Sequence, residues 1–208
     1  VGHYRGGLAM AALLASAFFS AVSGSAPATV VAVGSVMIAG MVASGYTRGF
    51  SAGVICNAGT LGILIPPSLV MVVYGAITES SIGKLFVAGI LPGILLTMIL
   101  MVTVTMIASR QDMPRQNRAS FKTVVKTFRE AVWGLMLVII ILGGIYAGIF
   151  TPTEAAAVSA VYAFFIAVFV YKDIGLKHAP SVLVEASKTT VMLMFIVANA
   201  FMFAFLLT

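Results

Sequence analysis

The chain has 208 residues, of which 61% are hydrophobic and only 9% are charged. A soluble domain carries about 25% charged residues, so this composition excludes an ordinary soluble protein and predicts an integral membrane protein with spans of about 20 residues each. The net charge is +6. The basic residues are not gathered on one soluble face with interleaved aromatic residues, so nucleic-acid binding is not expected.

The first predicted element is a helical hairpin at residues 8–45. Its first arm, Leu8 to Ser23, has sixteen residues, and as a helix it would reach about 24 Å, short of a hydrocarbon core of about 30 Å. The two arms are joined by Ser23 to Thr29, a small and hydroxyl-rich tip in which Pro27 suits the first turn of a helix. We predict a re-entrant hairpin with its tip inside the protein, although two full spans would also begin and end on the same side.

The second predicted element, residues 50–76, is a helix that breaks. Its stretch Asn57 to Ser68 reads NAGTLGILIPPS and contains two glycines and a Pro-Pro pair. Glycine loosens a helix, proline removes a hydrogen-bond donor, and the residue before a proline avoids the helical region. Irregular backbone at membrane depth is tolerated only where it is buried in protein or lines a cavity. The stretch therefore predicts a functional break.

A span at residues 85–109 completes a first unit of residues 1–109. Residues 110–131 place apolar side chains at helical spacing opposite basic ones, which predicts an amphipathic linker helix on the cytoplasmic surface. Residues 132–208 predict three plainer spans. Eleven of the twelve basic residues, all except Lys84, fall on one side of this topology, and the positive-inside rule makes that side cytoplasmic.

The hairpin tip and the break are the candidate functional elements. In transporters, paired discontinuous helices meet near the midplane, where carbonyls coordinate a cation and helix N-termini face an anionic group. Hydroxyl and amide oxygens suit sodium better than zinc or copper, and with no Asp or Glu at either place a proton relay is less expected. The candidate sodium- and substrate-binding residues are Ser23, Gly24, Ser25, Thr29, Asn57, Gly59, Thr60, Gly62, Pro66 and Pro67. For any single small residue, close helix packing is the competing interpretation.

No catalytic constellation is found, and the protein is not expected to be an enzyme. Ser25 has no histidine at membrane depth to activate it, and the single Cys56 argues against a disulfide framework or a cysteine metal site. We expect no cofactor and no metal beyond sodium as a coupling ion. Thr151 to Glu154 is typical of a helix start with an acidic first turn, so Glu154 is interpreted as a helix-start residue and not as a proton carrier.

Four motifs in a preserved order carry a resemblance to a known family. They are GHYRGGLA at residues 2–9, SGSAPAT at 23–29, GTLGILIPPS at 59–68 and GIFTPTEAAA at 148–157. Over essentially its whole length the chain resembles the large membrane subunit of the tripartite ATP-independent periplasmic (TRAP) transporters. Because Val1 is not a start methionine and Thr208 directly follows an apolar run, the chain is expected to be an internal fragment of such a subunit.

The resemblance implies an all-α polytopic membrane protein of ion-transporter-superfamily, elevator-type architecture, with its first repeat in residues 1–109 and the start of the second in 132–208. It implies sodium-driven import of small organic acids, such as C4-dicarboxylates or sugar acids including sialic acid, across a bacterial or archaeal inner membrane. The implied partners are a small membrane subunit and a soluble periplasmic substrate-binding protein. One sodium site is expected between tip and break, with Ser23, Ser25, Gly59 and Gly62 foremost.

Two features depart from the family's pattern. Ala39 and Gly40 follow Ile38 where the family usually carries a proline, which concerns only local helix shape. A second hairpin with its own Gly-x-x-Thr-Pro-Pro motif is not found before Thr208, so this chain is expected to hold half a binding site and not to transport alone. A passive channel and a structural multi-pass subunit are the alternatives, while the substrate, a fused small subunit and the oligomeric state stay open.

Overall fold

The computed structural model describes residues 5–110, 121–172 and 175–207, and within these ranges all regular secondary structure is helical. The chain divides into two compact units, Val1–Ala160 and Val161–Thr208. Six described segments are long and apolar enough to cross a membrane, namely Ala26–Ala43, Arg48–Ile77, Ile82–Arg110, Lys122–Tyr146, Pro152–Val170 and Ala179–Phe203. The described residues therefore form a polytopic helical membrane protein.

The first unit begins with a helical hairpin and an interrupted helix. Its helices are α1 (Gly7–Ser23), α2 (Ala26–Ala43), α3 (Arg48–Gly59), α4 (Leu61–Leu64), α5 (Leu69–Ile77), α6 (Ile82–Arg110), α7 (Phe121–Val138), α8 (Gly144–Tyr146) and the beginning of α9 (Pro152–Phe165). A π-helical stretch, Ile139–Gly143, joins α7 to α8. The 17 residues of α1 correspond to about 26 Å, so α1 is shorter than the six candidate spans.

The core of this unit lies where α1 packs against α2, α3 and the end of α6. Ala9, Ala12 and Leu13 of α1 are fully buried together with Ile55 and Ala58 of α3. Small side chains on α1 let its neighbours approach closely, and such close packing is what holds helices together in a membrane, where lipid is as apolar as the protein. The first arm of the hairpin is therefore held against α3 by close packing.

Helix α6 covers the interruption between α4 and α5. A Cβ atom on Gly89 would lie 2.7 Å from the Leu64 carbonyl oxygen, and one on Gly93 would lie 2.9 Å from Cγ1 of Ile65. Pro92 lies between these two glycines inside α6. The backbone that leaves α4 is thus buried against protein, as irregular structure at membrane depth requires.

The structure differs from the prediction at the linker helix. Residues 111–120 lie outside the described residues, and α7 then runs from Phe121 to Val138 with no interruption at the expected boundary between 131 and 132. Neither glycine nor proline occurs between Glu130 and Val132 to end a helix, and Lys126 pairs with Glu130 at 4.0 Å across one turn. The described part of the amphipathic segment is therefore the first part of the spanning helix itself.

The second unit contains a π-helical stretch, Ile166–Val170, a short 3₁₀ helix, Leu176–His178, and α10 (Ala179–Leu207). The last of the three predicted spans is α10, which begins at Ala179 and includes the polar residues before Thr190. Pro180 lies in its first turn, where proline is tolerated. The Lys188 ammonium lies 2.8 Å from the Glu185 carboxylate on the exposed face, so the polar stretch before Thr190 continues the helix.

Candidate functional site

The hairpin tip is a tight turn between α1 and α2. Gly24 ends α1 in the left-handed conformation, with φ +61°, and its N–H donates to the Ser20 carbonyl at 2.9 Å, a common way to end a helix. Ser25 caps α2: its hydroxyl accepts from the Ala28 N–H at 3.5 Å. Pro27 lies within the first turn of α2. Two residues thus reverse the chain direction.

Thr29 is the centre of a hydroxyl cluster at this tip. Its Oγ1 lies 3.2 Å from the Ser23 Oγ and 3.2 Å from the Ser20 Oγ, and it donates to the Ser25 carbonyl oxygen at 2.9 Å. Thr29 and Ser20 are fully buried. Ser20 is absent from the residues selected from the sequence, although its position one turn before Ser23 on the same helix could have indicated it.

The segment from α3 to α5 is interrupted at two places, weakly after Gly59 and strongly after Leu64. α3 ends at Gly59, but Thr60 keeps helical torsion angles and its N–H donates to the Asn57 carbonyl at 3.2 Å, so α4 follows with only a tightened turn. The strong break comes after α4, where Ile65 is extended and the Pro66–Pro67 peptide bond is cis. Helix α5 then begins at Leu69, with Ser68 as its N-cap residue.

The hairpin tip contacts both sides of the strong break. On the α4 side, a Cβ atom on Gly62 would lie 2.8 Å from the Ser25 carbonyl carbon and 2.8 Å from the Ala26 nitrogen. On the α5 side, a Cβ on Gly24 would lie 2.5 Å from the Pro67 carbonyl oxygen. Gly59 faces α2 closely as well, because a Cβ there would collide with the Val30 side chain. These glycines allow contact between backbones.

Two of the selected side chains do not join the tip. Asn57 is exposed, and its side-chain amide donates to the Gly53 carbonyl of its own helix at 2.8 Å. Thr60 is also exposed, and its hydroxyl donates to the Asn57 carbonyl at 2.7 Å. Both are exposed, whereas Ala58 and Gly59 between them are buried. The hydroxyl cluster therefore consists of hairpin residues.

A cavity of about 390 Å³ opens beside the tip and the strong break. Ser23 and Gly24 line it from the tip, Ser68 and Leu69 from the start of α5, and Thr153 from the start of α9. Ser68 is only 1% exposed, and its hydroxyl has no hydrogen-bond partner. A buried hydroxyl without a partner costs roughly 1–3 kcal/mol. Ser68 was not selected from the sequence, where it appears only as the residue after the prolines.

The groups at the hairpin tip that could bind an ion are neutral oxygen ligands. The described residues contain no cluster of three or more His, Cys, Asp or Glu side chains that could hold a metal ion. The tip instead provides the hydroxyl oxygens of Ser23 and Thr29, which lie 3.2 Å apart. Such oxygens fit a hard, weakly charged cation and do not fit a transition metal.

The interpretation of Glu154 as a helix-start residue is confirmed. Its carboxylate accepts from the Thr151 N–H and from the Thr151 hydroxyl, both at 2.8 Å, and the Thr151 hydroxyl accepts from the Glu154 N–H at 3.3 Å. This reciprocal arrangement is a capping box. It orders the start of α9 beside Thr153 in the cavity wall.

Six apolar helical segments, a hairpin tip packed against an interrupted helix and a cavity beside them define a polytopic helical membrane permease. The comparison with known families then identifies the particular one. The family described as the tripartite ATP-independent periplasmic transporter, DctM component, matches residues 1–208, and the chain belongs to it. The resemblance noted from the four motifs is confirmed.

Individual relatives are similar over the whole chain or nearly so. The C4-dicarboxylate TRAP transporter large permease protein DctM of Pseudomonas aeruginosa is 61% identical over 208 residues, which are 100% of this chain and 49% of that protein. The isethionate TRAP transporter permease protein DctMQ of Oleidesulfovibrio alaskensis is 41% identical over 209 residues, 100% of this chain and 33% of that protein. The sialic acid TRAP transporter permease protein SiaT of Haemophilus influenzae is 38% identical over 190 residues, 91% of this chain and 31% of that protein.

The chain spans about half the length of the large permease relatives that it matches. These relatives are transporter permeases and not enzymes. The substrates in their names differ, from C4-dicarboxylates to isethionate and sialic acid.

Proposed function

We propose that the protein is the first half of a large permease subunit that imports small organic acids, with sodium as the coupling ion, across a bacterial or archaeal inner membrane. A soluble periplasmic binding protein would deliver the substrate, and a small membrane subunit, separate or fused, would complete the transporter. The relative named DctMQ supports a close association with a second membrane component. The multi-pass helical architecture and the family support a membrane location.

The observation that carries this proposal is the buried, unpaired hydroxyl of Ser68, a residue of the cavity wall beside the tip. Ser68 is the N-cap residue of α5, yet its hydroxyl bonds to no backbone N–H of that helix. The first N–H groups of a helix have no partner within the helix and carry partial positive charge, so they favour an anion. The Leu69 N–H already donates to the Gly24 carbonyl, so a carboxylate here would accept from the Ser68 hydroxyl and would be favoured by the partial positive charge of the helix start.

Sodium coupling is supported by the neighbouring hydroxyl cluster. Ser23 belongs both to that cluster and to the wall of the cavity. A cation held by Ser23 and Thr29 would therefore lie next to a carboxylate at Ser68, and each would stabilise the other by opposite charge. Linked binding of this kind is what a symporter requires, because neither solute should cross alone. The elevator-type movement would carry hairpin, break and α6 together, since they pack on one another.

The test is uptake of labelled organic acids into proteoliposomes that contain the complete large and small subunits, with and without binding protein and an inward sodium gradient. We expect accumulation that needs both. Ser68→Ala should raise the KM for the acid about tenfold or more, because a hydrogen bond to a charged group contributes roughly 1.5–3 kcal/mol. Uptake that only follows the substrate gradient would contradict the proposal and favour a channel.

Ser159→Ala is the matched control for this substitution. Ser159 is also buried, at 6% exposure, and its hydroxyl also has no partner, but it does not line the cavity. The same atom is removed from a comparable environment, so the KM should stay within about twofold of the unsubstituted transporter. An equal rise of KM in both variants would show that Ser68 acts through packing and not through the substrate.

A further inference from the structure

Ser20 belongs to the hydroxyl cluster at the hairpin tip through its contact with Thr29. It is fully buried in α1, three residues before Ser23, and its hydroxyl lies 3.2 Å from the Thr29 Oγ1. It is not among the residues that line the cavity. A buried hydroxyl inside a membrane helix usually bonds back to a carbonyl of its own helix, whereas the bond described for Ser20 crosses to the second arm of the hairpin.

The positions of the protons follow from the donors available. Thr29 has one hydroxyl proton, and it donates this proton to the Ser25 carbonyl at 2.9 Å, the shortest contact of the cluster. The Thr29 oxygen can therefore only accept in its bond with Ser20, and the Ser20 hydroxyl is the donor. One lone pair of Thr29 accepts from Ser20, and by the same reasoning the other faces the Ser23 hydroxyl, which lies 3.2 Å away.

We propose that Ser20 is a positioning residue for the cation site at the hairpin tip. This inference rests on the sodium coupling proposed above and deepens it. By donating to Thr29, Ser20 keeps the Thr29 proton on the Ser25 carbonyl and leaves a lone pair of Thr29 facing the tip. Without Ser20, the Thr29 oxygen loses the donor on that side, so its hydroxyl is held only by the Ser25 carbonyl and its lone pair is less firmly oriented towards the tip. Ser20 therefore sets the affinity for sodium without touching the ion.

The chain offers a matched control one turn earlier. Ser16 lies on the same face of α1, is also fully buried, and has a hydroxyl with no partner. Ser16→Ala and Ser20→Ala remove the same atom from the same helix at the same burial. Only Ser20 is joined to Thr29, so only Ser20→Ala should change the response to sodium.

The experiment measures initial uptake against sodium concentration in proteoliposomes holding the complete transporter. Ser20→Ala should raise the half-saturating sodium concentration about three- to tenfold, the size expected from one lost hydrogen bond, with the maximal rate unchanged. Ser16→Ala should stay within about twofold of the unsubstituted transporter. The rise in Tm that sodium produces in the purified complete subunit gives a second readout, and it should need correspondingly more sodium in Ser20→Ala.

Thr29→Val tests whether Ser20 acts through Thr29, because valine keeps the shape and removes the hydroxyl. Adding Ser20→Ala to Thr29→Val should change the half-saturating concentration by less than about twofold. A full additional effect in that background, or equal effects of Ser16→Ala and Ser20→Ala, would overturn the inference. If Ser20→Ala does not accumulate, Ser20→Cys and Ser16→Cys replace the alanine pair, since a thiol is a weak donor.

Measurements on the unsubstituted transporter distinguish a failure of this inference from a failure of the proposed function. Uptake and Tm that do not respond to sodium in the unsubstituted protein would overturn both. A clear response to sodium that Ser20→Ala leaves unchanged would overturn the role of Ser20 alone.

Discussion

The backbone N–H of Leu69 donates to the Gly24 carbonyl oxygen at 3.0 Å. Leu69 is the first residue of α5, so its N–H is one of those that the helix itself cannot satisfy. The hairpin tip supplies the missing acceptor across 45 positions of sequence. Gly24 can come this close because it has no Cβ atom to meet Pro67. The tip and the start of α5 are thus joined directly through their backbones.

Gly24→Ala should destabilise the complete subunit by more than backbone strain alone. Alanine at φ +61° costs about 1–2 kcal/mol, and its Cβ would also lie 2.5 Å from the Pro67 carbonyl oxygen, which must move. Gly148→Ala is the control, because Gly148 has φ +70° but open space around a Cβ. Thermal unfolding of the two purified variants should give a clearly lower Tm for Gly24→Ala. Equal losses would mean that the tip does not need its contact with Pro67.

Asn57→Ala should leave the half-saturating sodium concentration within about twofold of the unsubstituted transporter. The Asn57 amide bonds within α3, and the residue lines a separate cavity of about 270 Å³ with Leu100 and Thr103, which contains no tip residue. Thr29→Val, measured in the same assay, should raise that concentration. If Asn57→Ala weakened sodium dependence as strongly as Thr29→Val, then Asn57 would have to turn towards the tip in the complete subunit.

Glu154→Gln should leave the pH dependence of uptake unchanged. The carboxylate is exposed and bonded to Thr151 as a cap, and glutamine can accept the same bonds from the Thr151 N–H and hydroxyl. Glu154→Ala loses these bonds and should cost about 0.5–2 kcal/mol of stability, seen as a lower Tm. A pH profile that collapses in Glu154→Gln would instead identify the carboxyl group as a proton carrier.

The sequence was sufficient for the class of protein and for the place of its irregular elements. Low charge and long apolar runs require membrane spans, and the local chemistry of Gly24, Ser25 and Pro27 requires a turn followed by a helix start. The break was also predicted, because two prolines in succession cannot continue a helix. Its beginning was placed too early: α3 continues to Gly59, since Asn57 and Ala58 do not interrupt a helix on their own.

Which side chains meet was decided by the tertiary structure. Ser20 and Ser68 join the candidate site, while Asn57 and Thr60 lie on another face. The difference is the rotation of each helix about its own axis, where one residue corresponds to about 100°. That rotation is fixed by close packing, above all by Gly59 against Val30 and Gly62 against Ser25. A sequence specifies which oxygens are available, but only the packing of α1, α2 and α4 determines which of them face one another.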